Sequence, residues 1–395
     1  MEKMHLPKNV QYIISRLNEC GFRADVVGGC VRDFLLGKAP VDYDVTTNAE
    51  PEEMKRVFRK EKTIETGIKH GTLTVLISGE PYEITTYRID GEYSDNRRPD
   101  SVSFSRELTL DLARRDFTVN AICYNEKDGY TDKFSGIDDI KKRIIRAVGD
   151  PRKRFSEDAL RIMRAVRFSS VLGFTIEEKT AAAVHELKGL LKNVSKERIL
   201  VEWRKLIGGE GAYRILRQYP DVIQEVIPGL ESIKLPDEKL FEKASPDVRE
   251  FSLFLINSKI PKDSFSFAMD SLKSDSKHKK LGTSVLAFEG ECVKTGADIK
   301  LLLMKIGKEA VEKLIELKIL MGEAEAELKE QLDLILKNGE AYRLSDLKIG
   351  GKELLSLGFS GEDIGTILNQ LLISVIKGEV ENEPESLVSA VAKLR

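Results

Sequence analysis

Histidine and cysteine are scarce, with four of each in 395 residues. The cysteines, at 20, 30, 123 and 292, form no Cys-x-x-Cys pair, and four thiols in so long a chain do not make a disulfide framework. A reducing compartment is the simpler reading. His5, His70, His185 and His278 are scattered, and none stands in a His-Glu-x-x-His frame, which argues against a histidine-based metal site. No apolar run approaches the ~18–20 residues that span a bilayer. The charged amphipathic start, MEKMHLPKNVQYIISRL, is not a secretory signal. A soluble, cytoplasmic protein without a membrane partner is expected. Charge of one sign is missing too: 63 Lys and Arg against 65 Asp and Glu leave a net −2. That excludes a uniformly basic nucleic-acid coat but leaves room for a local basic groove. Twelve Pro and 29 Gly follow no period, which excludes collagen-like and low-complexity chains.

What is present divides in two. Strand signals concentrate early: Phe22–Val27, Val41–Thr46, Leu73–Ile77 and Tyr82–Tyr87, with Thr118–Tyr124 reading as a strand or a helix start. A helical period separates them, as in Glu52–Lys60. After about residue 155, helix-like stretches follow one another, broken at Pro228-Gly229, Pro236, Pro246 and Pro261. The expectation is an α+β chain, an N-terminal sheet-bearing unit followed by an all-helical remainder. Charge follows the same division. Lys141–Arg167 holds ten Lys and Arg against three acids, whereas Met321 to the end holds 8 basic against 14 acidic residues. The basic segment lies where a polyanion meets the end of the sheet-bearing unit, although a solvated helix face produces the same count.

Three constellations carry chemistry. The first is Gly28-Gly29-Cys30-Val31-Arg32-Asp33, then Asp42-Tyr43-Asp44. Two glycines after a strand let backbone N–H groups approach a phosphate, and Arg32 adds a charge-assisted bond. Neither the GxGxxG spacing nor a GK[ST] P-loop is present. Asp42 and Asp44, two apart on an expected strand, point the same way, and two like charges side by side call for a hard cation such as Mg²⁺. Read alone, an Asp-x-Asp is more often a turn or a solvated strand face. Glu83 lies on another expected strand and can join the pair, or serve as a partner for Arg88. The second is Asp111-Leu112-Ala113-Arg114-Arg115-Asp116-Phe117-Thr118-Val119-Asn120. Its adjacent arginines suit a triphosphate, Asp116 can orient one of them, and one arginine can be purely structural. The third is Arg154–Phe168. Ser156 reads as its N-cap, and Asp158, Arg161, Arg164 and Arg167 recur every three residues as one helical stripe. Three arginines with one acid are a lopsided way to build a solvated face, so the stripe is expected to point at an anionic or base-bearing ligand.

These motifs, with TGIKHGTLTV, EITTYR, VSKERI and the C-terminal GGKELL stretch, occur in one order over much of the chain. The sequence resembles the class II tRNA nucleotidyltransferases, the CCA-adding enzymes of Gram-positive type; bacterial poly(A) polymerases share the head motifs. The resemblance implies a polymerase β-like nucleotidyltransferase head with a small sheet (1–145), a neck that recognises the base (146–207), a helical body (208–322) and a tRNA-binding tail (323–395). It implies template-independent addition of C, C and A to the tRNA 3′ end from CTP and ATP, with release of pyrophosphate. Asp42 and Asp44 would hold Mg²⁺ and, with Glu83, form the catalytic set. Gly29, Arg32 and Arg115 would hold the nucleotide's phosphates, with Arg164 and Arg167 in support. Asp158 and Arg161 would act as a protein template. A carboxylate accepting from an exocyclic amine and a guanidinium donating to a ring nitrogen satisfy cytosine and adenine, whereas guanine and uracil reverse the pattern.

Tyr93–Asp100 reads as a polar surface loop, which in the resembling family accompanies the switch from C to A addition. Lys133 and Ser135 depart from the family's apolar or Gly choices, leaving that turn open. No phosphohydrolase domain of HD type is evident. The alternatives are a poly(A) polymerase, an enzyme that adds only A, and an RNA-binding protein on a decayed transferase head. Intact Asp42 and Asp44 argue against decay.

Overall fold

The computed structural model describes residues 2–91, 101–230 and 232–392. The Tyr93–Asp100 stretch and its expected role in switching lie outside the described residues. Chain contacts divide the molecule into two compact units, Met1–Val226 and Ile227–Arg395.

The first unit is built on a seven-stranded sheet. Its early elements are α1 (Lys8–Glu19), β1 (Ala24–Val27), α2 (Gly29–Leu35), β2 (Asp44–Thr47), α3 (Pro51–Val57), β3 (Lys62–Ile64), β4 (Thr72–Ile77) and β5 (Glu80–Thr86). β6 (Arg88–Asp90) and β7 (Val102–Phe104) form a separate ribbon, followed by α4 (Leu108–Ala113), β8 (Ile122–Asn125), β9 (Gly129–Asp132) and α5 (Gly136–Lys142). The strand order is β3-β4-β5-β2-β1-β8-β9. Only β2 and β5 run parallel; the other pairs of this sheet are antiparallel. β1 is buried at all four residues, as a central strand covered on both faces must be, while β4 alternates half-buried and buried along its length. α1 buries Val10, Ile13, Ile14 and Leu17, a helical stripe. Leu112, Ala121, Cys123 and Val148 pack against Val27.

Two expected strands begin later than their composition suggests. β2 starts at Asp44 rather than Val41, and the Thr118–Tyr124 run opens as a short 3₁₀ turn, Thr118–Asn120, before β8. The Lys133–Ser135 turn closes without the expected glycine. Ser135 itself takes φ 60°, and Asp132 secures the turn by accepting the N–H groups of Phe134, Gly136 and Ile137 at 3.1, 3.0 and 2.9 Å. Gly136 is obligatory, because a Cβ there would lie 2.1 Å from the Thr118 carbonyl oxygen.

Helices complete this unit: α6 (Pro151–Glu157), α7 (Leu160–Leu172), α8 (Glu178–Leu187) and α9 (Lys196–Ile207), then Ala212–Gln218 and Pro220–Val226. Asp150 caps α6 by accepting the Arg152 N–H at 3.0 Å, with Pro151 at the first position. Ser156 therefore sits inside α6, not at a helix start. α7 lies against α9, which buries Trp203.

Among the described residues the second unit is helical and contains no strand. Phe265 meets Phe251 and Phe254 edge-on, at 5.3 and 5.2 Å between ring centroids. Gly282 permits that packing, since a Cβ there would lie 2.2 Å from the Phe265 ring. A later cluster gathers Leu347, Ile349, Leu354, Leu371, Leu372, Leu387 and Val391. No described helix is long and apolar enough to cross a membrane.

Candidate active site

β1 ends just before Gly28, whose φ of 81° suits glycine alone without strain. The last ladder pair on that side is Val27 with Asp44. Beyond it β2 has no β1 residue to pair with, so Val41–Tyr43 remain outside the sheet. Asp42 thus lies on the approach to β2 rather than on the strand with Asp44. The two carboxylates nonetheless line one open cavity of about 710 Å³, together with Glu83. The parallel ladder pairs Val45 with Ile84, which sets Glu83 level with Asp44 on the neighbouring strand.

Among the described residues no group donates a hydrogen bond to the carboxylate of Asp42 or Asp44. Burial raises the pKa of Asp44; the Arg115 charge opposes the rise and Asp42 adds to it. Two carboxylates with unused oxygens, one bearing a burial cost, form a donor set that fits a hard divalent cation. Among the described residues no three Asp, Glu, His or Cys side chains close into a cage, so the fit rests on the pair. Cys30, behind them, is no nucleophile, because burial and then Asp44 push its thiol up to about 12.

Arg115 stands next to this pair. Its Nη1 would be 3.2 Å from a Cβ at Gly28, so glycine there also lets the guanidinium approach. Its Nη2 reaches Asp111 at a long 3.4 Å, and its Nε is buried without a partner among the described residues. Arg114 differs: Nε and Nη2 both donate to Asp111, at 2.9 and 2.7 Å. Of the adjacent arginines, Arg114 is locked and Arg115 keeps an unused donor. Asp111, not Asp116, orients them. Gly29 opens α2. Arg32, three residues on, is buried and already donates to Asp33 at 2.9 Å and Asn120 at 2.6 Å.

The third constellation departs most from a regular stripe. α6 ends at Glu157, Asp158 is extended (φ −130°, ψ 103°), and α7 begins at Leu160. Asp158 therefore stands in the break, off the helical face. Arg161, Arg164 and Arg167 do share α7, but each is matched. Arg161 pairs with Glu157 at 3.0 Å and donates to the carbonyls of Arg154 and Arg114 at 3.2 and 2.7 Å. Arg164 donates twice to Asp116, at 2.8 and 2.5 Å. Arg167 donates to Glu202 at 2.6 Å. Arg32, Arg164 and Arg167 surround the Phe168 ring at 5.2, 5.1 and 3.4 Å. Asp158 pairs with Arg198 of α9 at 3.0 Å.

The apparent charge excess of Arg154–Phe168 is thus largely balanced by acids from α9 and the segment after α4, which no local count reveals. Asp111, Arg198 and Glu202 went unassigned in the sequence for that reason, and Asn120, which reads there as a cap or turn former, instead bridges Arg32 and Asp116. Glu157 had a signal, its spacing of four from Arg161 on a helical run.

The chain matches the Poly A polymerase head domain family over residues 24–146, the "Probable RNA and SrmB-binding site of polymerase A" family over 173–231, and the tRNA nucleotidyltransferase domain 2 family over 246–391. It is 38% identical to the CCA-adding enzyme of Lactobacillus delbrueckii subsp. bulgaricus, with 96% of each chain covered. It is 37% identical to that of Pediococcus pentosaceus, with 98% of each covered. The Bacillus stearothermophilus CCA-adding enzyme, solved in complex with CTP, superposes with a TM-score of 0.80 at 31% identity, over 99% of this chain and 98% of that one. The Thermotoga maritima CCA-adding enzyme complexed with tRNA-CCA shares the fold, with a TM-score of 0.70 at 22% identity over 100% and 97% of the two chains. The families matched over 24–146 and 173–231 are named for poly(A) polymerase, whereas the one over 246–391 is a tRNA nucleotidyltransferase domain and the relatives matched over nearly their whole length are CCA-adding enzymes: the chain belongs to the CCA-adding enzyme family of nucleotidyltransferases.

Proposed function

We propose that the protein adds C, C and A, without a nucleic-acid template, to the 3′ end of tRNA in the cytoplasm, using CTP and ATP and releasing pyrophosphate. The observation that carries this reading is the unpaired Asp42 and Asp44 in one cavity, with the Arg115 charge acting on Asp44 and its Nη1 making no hydrogen bond among the described residues. Asp42 and Asp44 would hold Mg²⁺, with Glu83 beside them. Bound there, Mg²⁺ supplies a lowered pKa at the attacking 3′-hydroxyl and positive charge for the triphosphate. Arg115 offers its Nη1, which faces Gly28 and makes no hydrogen bond among the described residues, to the phosphates, the Gly29 backbone lies at the same turn, and Arg32 steadies that turn through Asn120. Arg164 and Arg167 act behind the site, holding Asp116 and Glu202 around Phe168.

Base choice falls to Asp158 and Arg161. Arg161 spends both Nη1 hydrogens and one Nη2 hydrogen on Arg154, Glu157 and Arg114, which leaves Nε and one Nη2 hydrogen for a ring nitrogen. Asp158, as an acceptor, suits the amine of cytosine or adenine; a carbonyl in that place leaves both groups unpaired, at a cost of about 1–3 kcal/mol each. Roles for the segments follow: head over 1–145, neck over 146–207, body over 208–322 and a tRNA-binding tail over 323–395. The test is Asp42→Ala. Loss of nucleotide incorporation with tRNA binding retained supports the reading; unchanged incorporation refutes it.

A further inference from the structure

Asp158 is held by two fixed donors. The Leu160 N–H donates to Oδ1 at 3.1 Å, and Arg198 Nη2 donates to Oδ2 at 3.0 Å and to Oδ1 at 3.4 Å. Both oxygens are engaged, so the plane of the carboxylate is set; three contacts fill three of its roughly four acceptor sites, and the one left is on Oδ2. Arg198 comes from a different helix, 40 positions along the chain. It lies in the first turn of α9, the unfavourable end of a helix dipole for a cation. Its Nη1 is buried with no partner among the described residues. Against both costs, its one ion pair among those residues is with Asp158.

We propose that Arg198 is a positioning residue for nucleotide choice: it fixes the orientation of Asp158, so that this carboxylate accepts from an amine-bearing base edge and turns away a carbonyl-bearing one. The proposal rests on the role given to Asp158 above. The alternative is a strut between the α6–α7 break and α9 with no effect on selection, and the two differ in what they do to a ratio. A strut lowers stability and activity toward every nucleotide alike. A positioning residue changes CTP against UTP.

The experiment measures kcat/KM for CTP and UTP with tRNA lacking its last three nucleotides, in Asp158→Ala, Arg198→Ala, Arg198→Lys and the Asp158→Ala/Arg198→Ala double variant. tRNA affinity and the unfolding midpoint are measured alongside. Arg198→Ala is expected to lower the CTP-over-UTP ratio about tenfold, as for a lost hydrogen bond to a charged group, with tRNA affinity unchanged. Arg198→Lys keeps the charge but not the planar fork and recovers about a third or more of the ratio. The double variant matches Asp158→Ala, because Arg198 acts through that carboxylate. If Arg198→Ala keeps the ratio while Asp158→Ala loses it, Arg198 does not position Asp158, and the template reading stands. If Asp158→Ala also keeps the ratio, the template reading falls and this proposal with it. Independent, multiplying losses in the double variant overturn the proposal as well. Should Arg198→Ala unfold, Arg198→Lys against the parent reads the same ratio, and equal loss for CTP and UTP overturns it.

Discussion

Asp44 carries a carboxylate whose pKa is raised in the folded chain, by burial first and by Asp42, against the pull of Arg115. A raised folded pKa contributes stability only below the ordinary carboxylate value, and that contribution is lost as pH rises through the folded value. At neutral pH the ionised side chain therefore works against folding. Asp44→Asn is predicted to raise the unfolding midpoint at pH 7 in EDTA by roughly 1–3 °C while abolishing incorporation. Mg²⁺ should then raise the midpoint of the parent and leave that of the Asp44→Asn variant unchanged, which calorimetry reads directly. The paired arginines separate in the same manner. Arg114→Ala strips both donors from Oδ1 of buried Asp111 and is predicted to lower the midpoint by several degrees. Arg115→Ala leaves Asp111 held by Arg114, so the midpoint should hold while kcat/KM for CTP falls about 10²-fold or more. Equal effects on stability would refute this division.

At the scale of elements, α7 is docked by charge as well as by packing. Burial pushes Asp116 up, but the charge and hydrogen bonds of Arg164, with help from Asn120, outweigh it and bring the carboxyl to about 2. A depressed folded pKa gives stability that is complete above the ordinary carboxylate value near 4 and is lost as pH falls from there through about 2. Asp116→Asn is predicted to flatten the acid-unfolding profile between pH 4 and 2 and to cost about 2 kcal/mol at pH 7; a profile as steep as the parent's contradicts this. These pairings also show what was legible in the sequence. Strand composition placed β1, β4 and β5 closely, and the order of motifs placed the carboxylates, the double arginine and the Asp158–Arg167 segment. The Asp-x-Asp spacing could not reveal that β2 starts at Asp44, because that depends on where β1 stops. The arginine stripe looked bare because its acids, Asp116 and Glu202, come from other elements. Ser156 looked like a cap because Asp150, six residues earlier, had already started the helix.

At the scale of the molecule, each of the two units has its own core, around β1 and α7 in one and around Phe265 and Leu371 in the other. The residues proposed to face the nucleotide all fall within Met1–Val226. A fragment spanning residues 1–226 is predicted to melt cooperatively and to bind CTP, as read by the shift of its midpoint with ligand, while its affinity for tRNA drops at least about tenfold. A fragment that retains full tRNA affinity contradicts the tRNA-binding role proposed for the tail. Selection of nucleotide and of RNA then belong to different parts of one chain, and one assay reports on both. Supplied with tRNA lacking its last three nucleotides, the protein should add two residues with CTP alone, none with ATP alone, and three, ending in A, with both. A run of A residues, or equal extension of an unrelated RNA, would contradict the account.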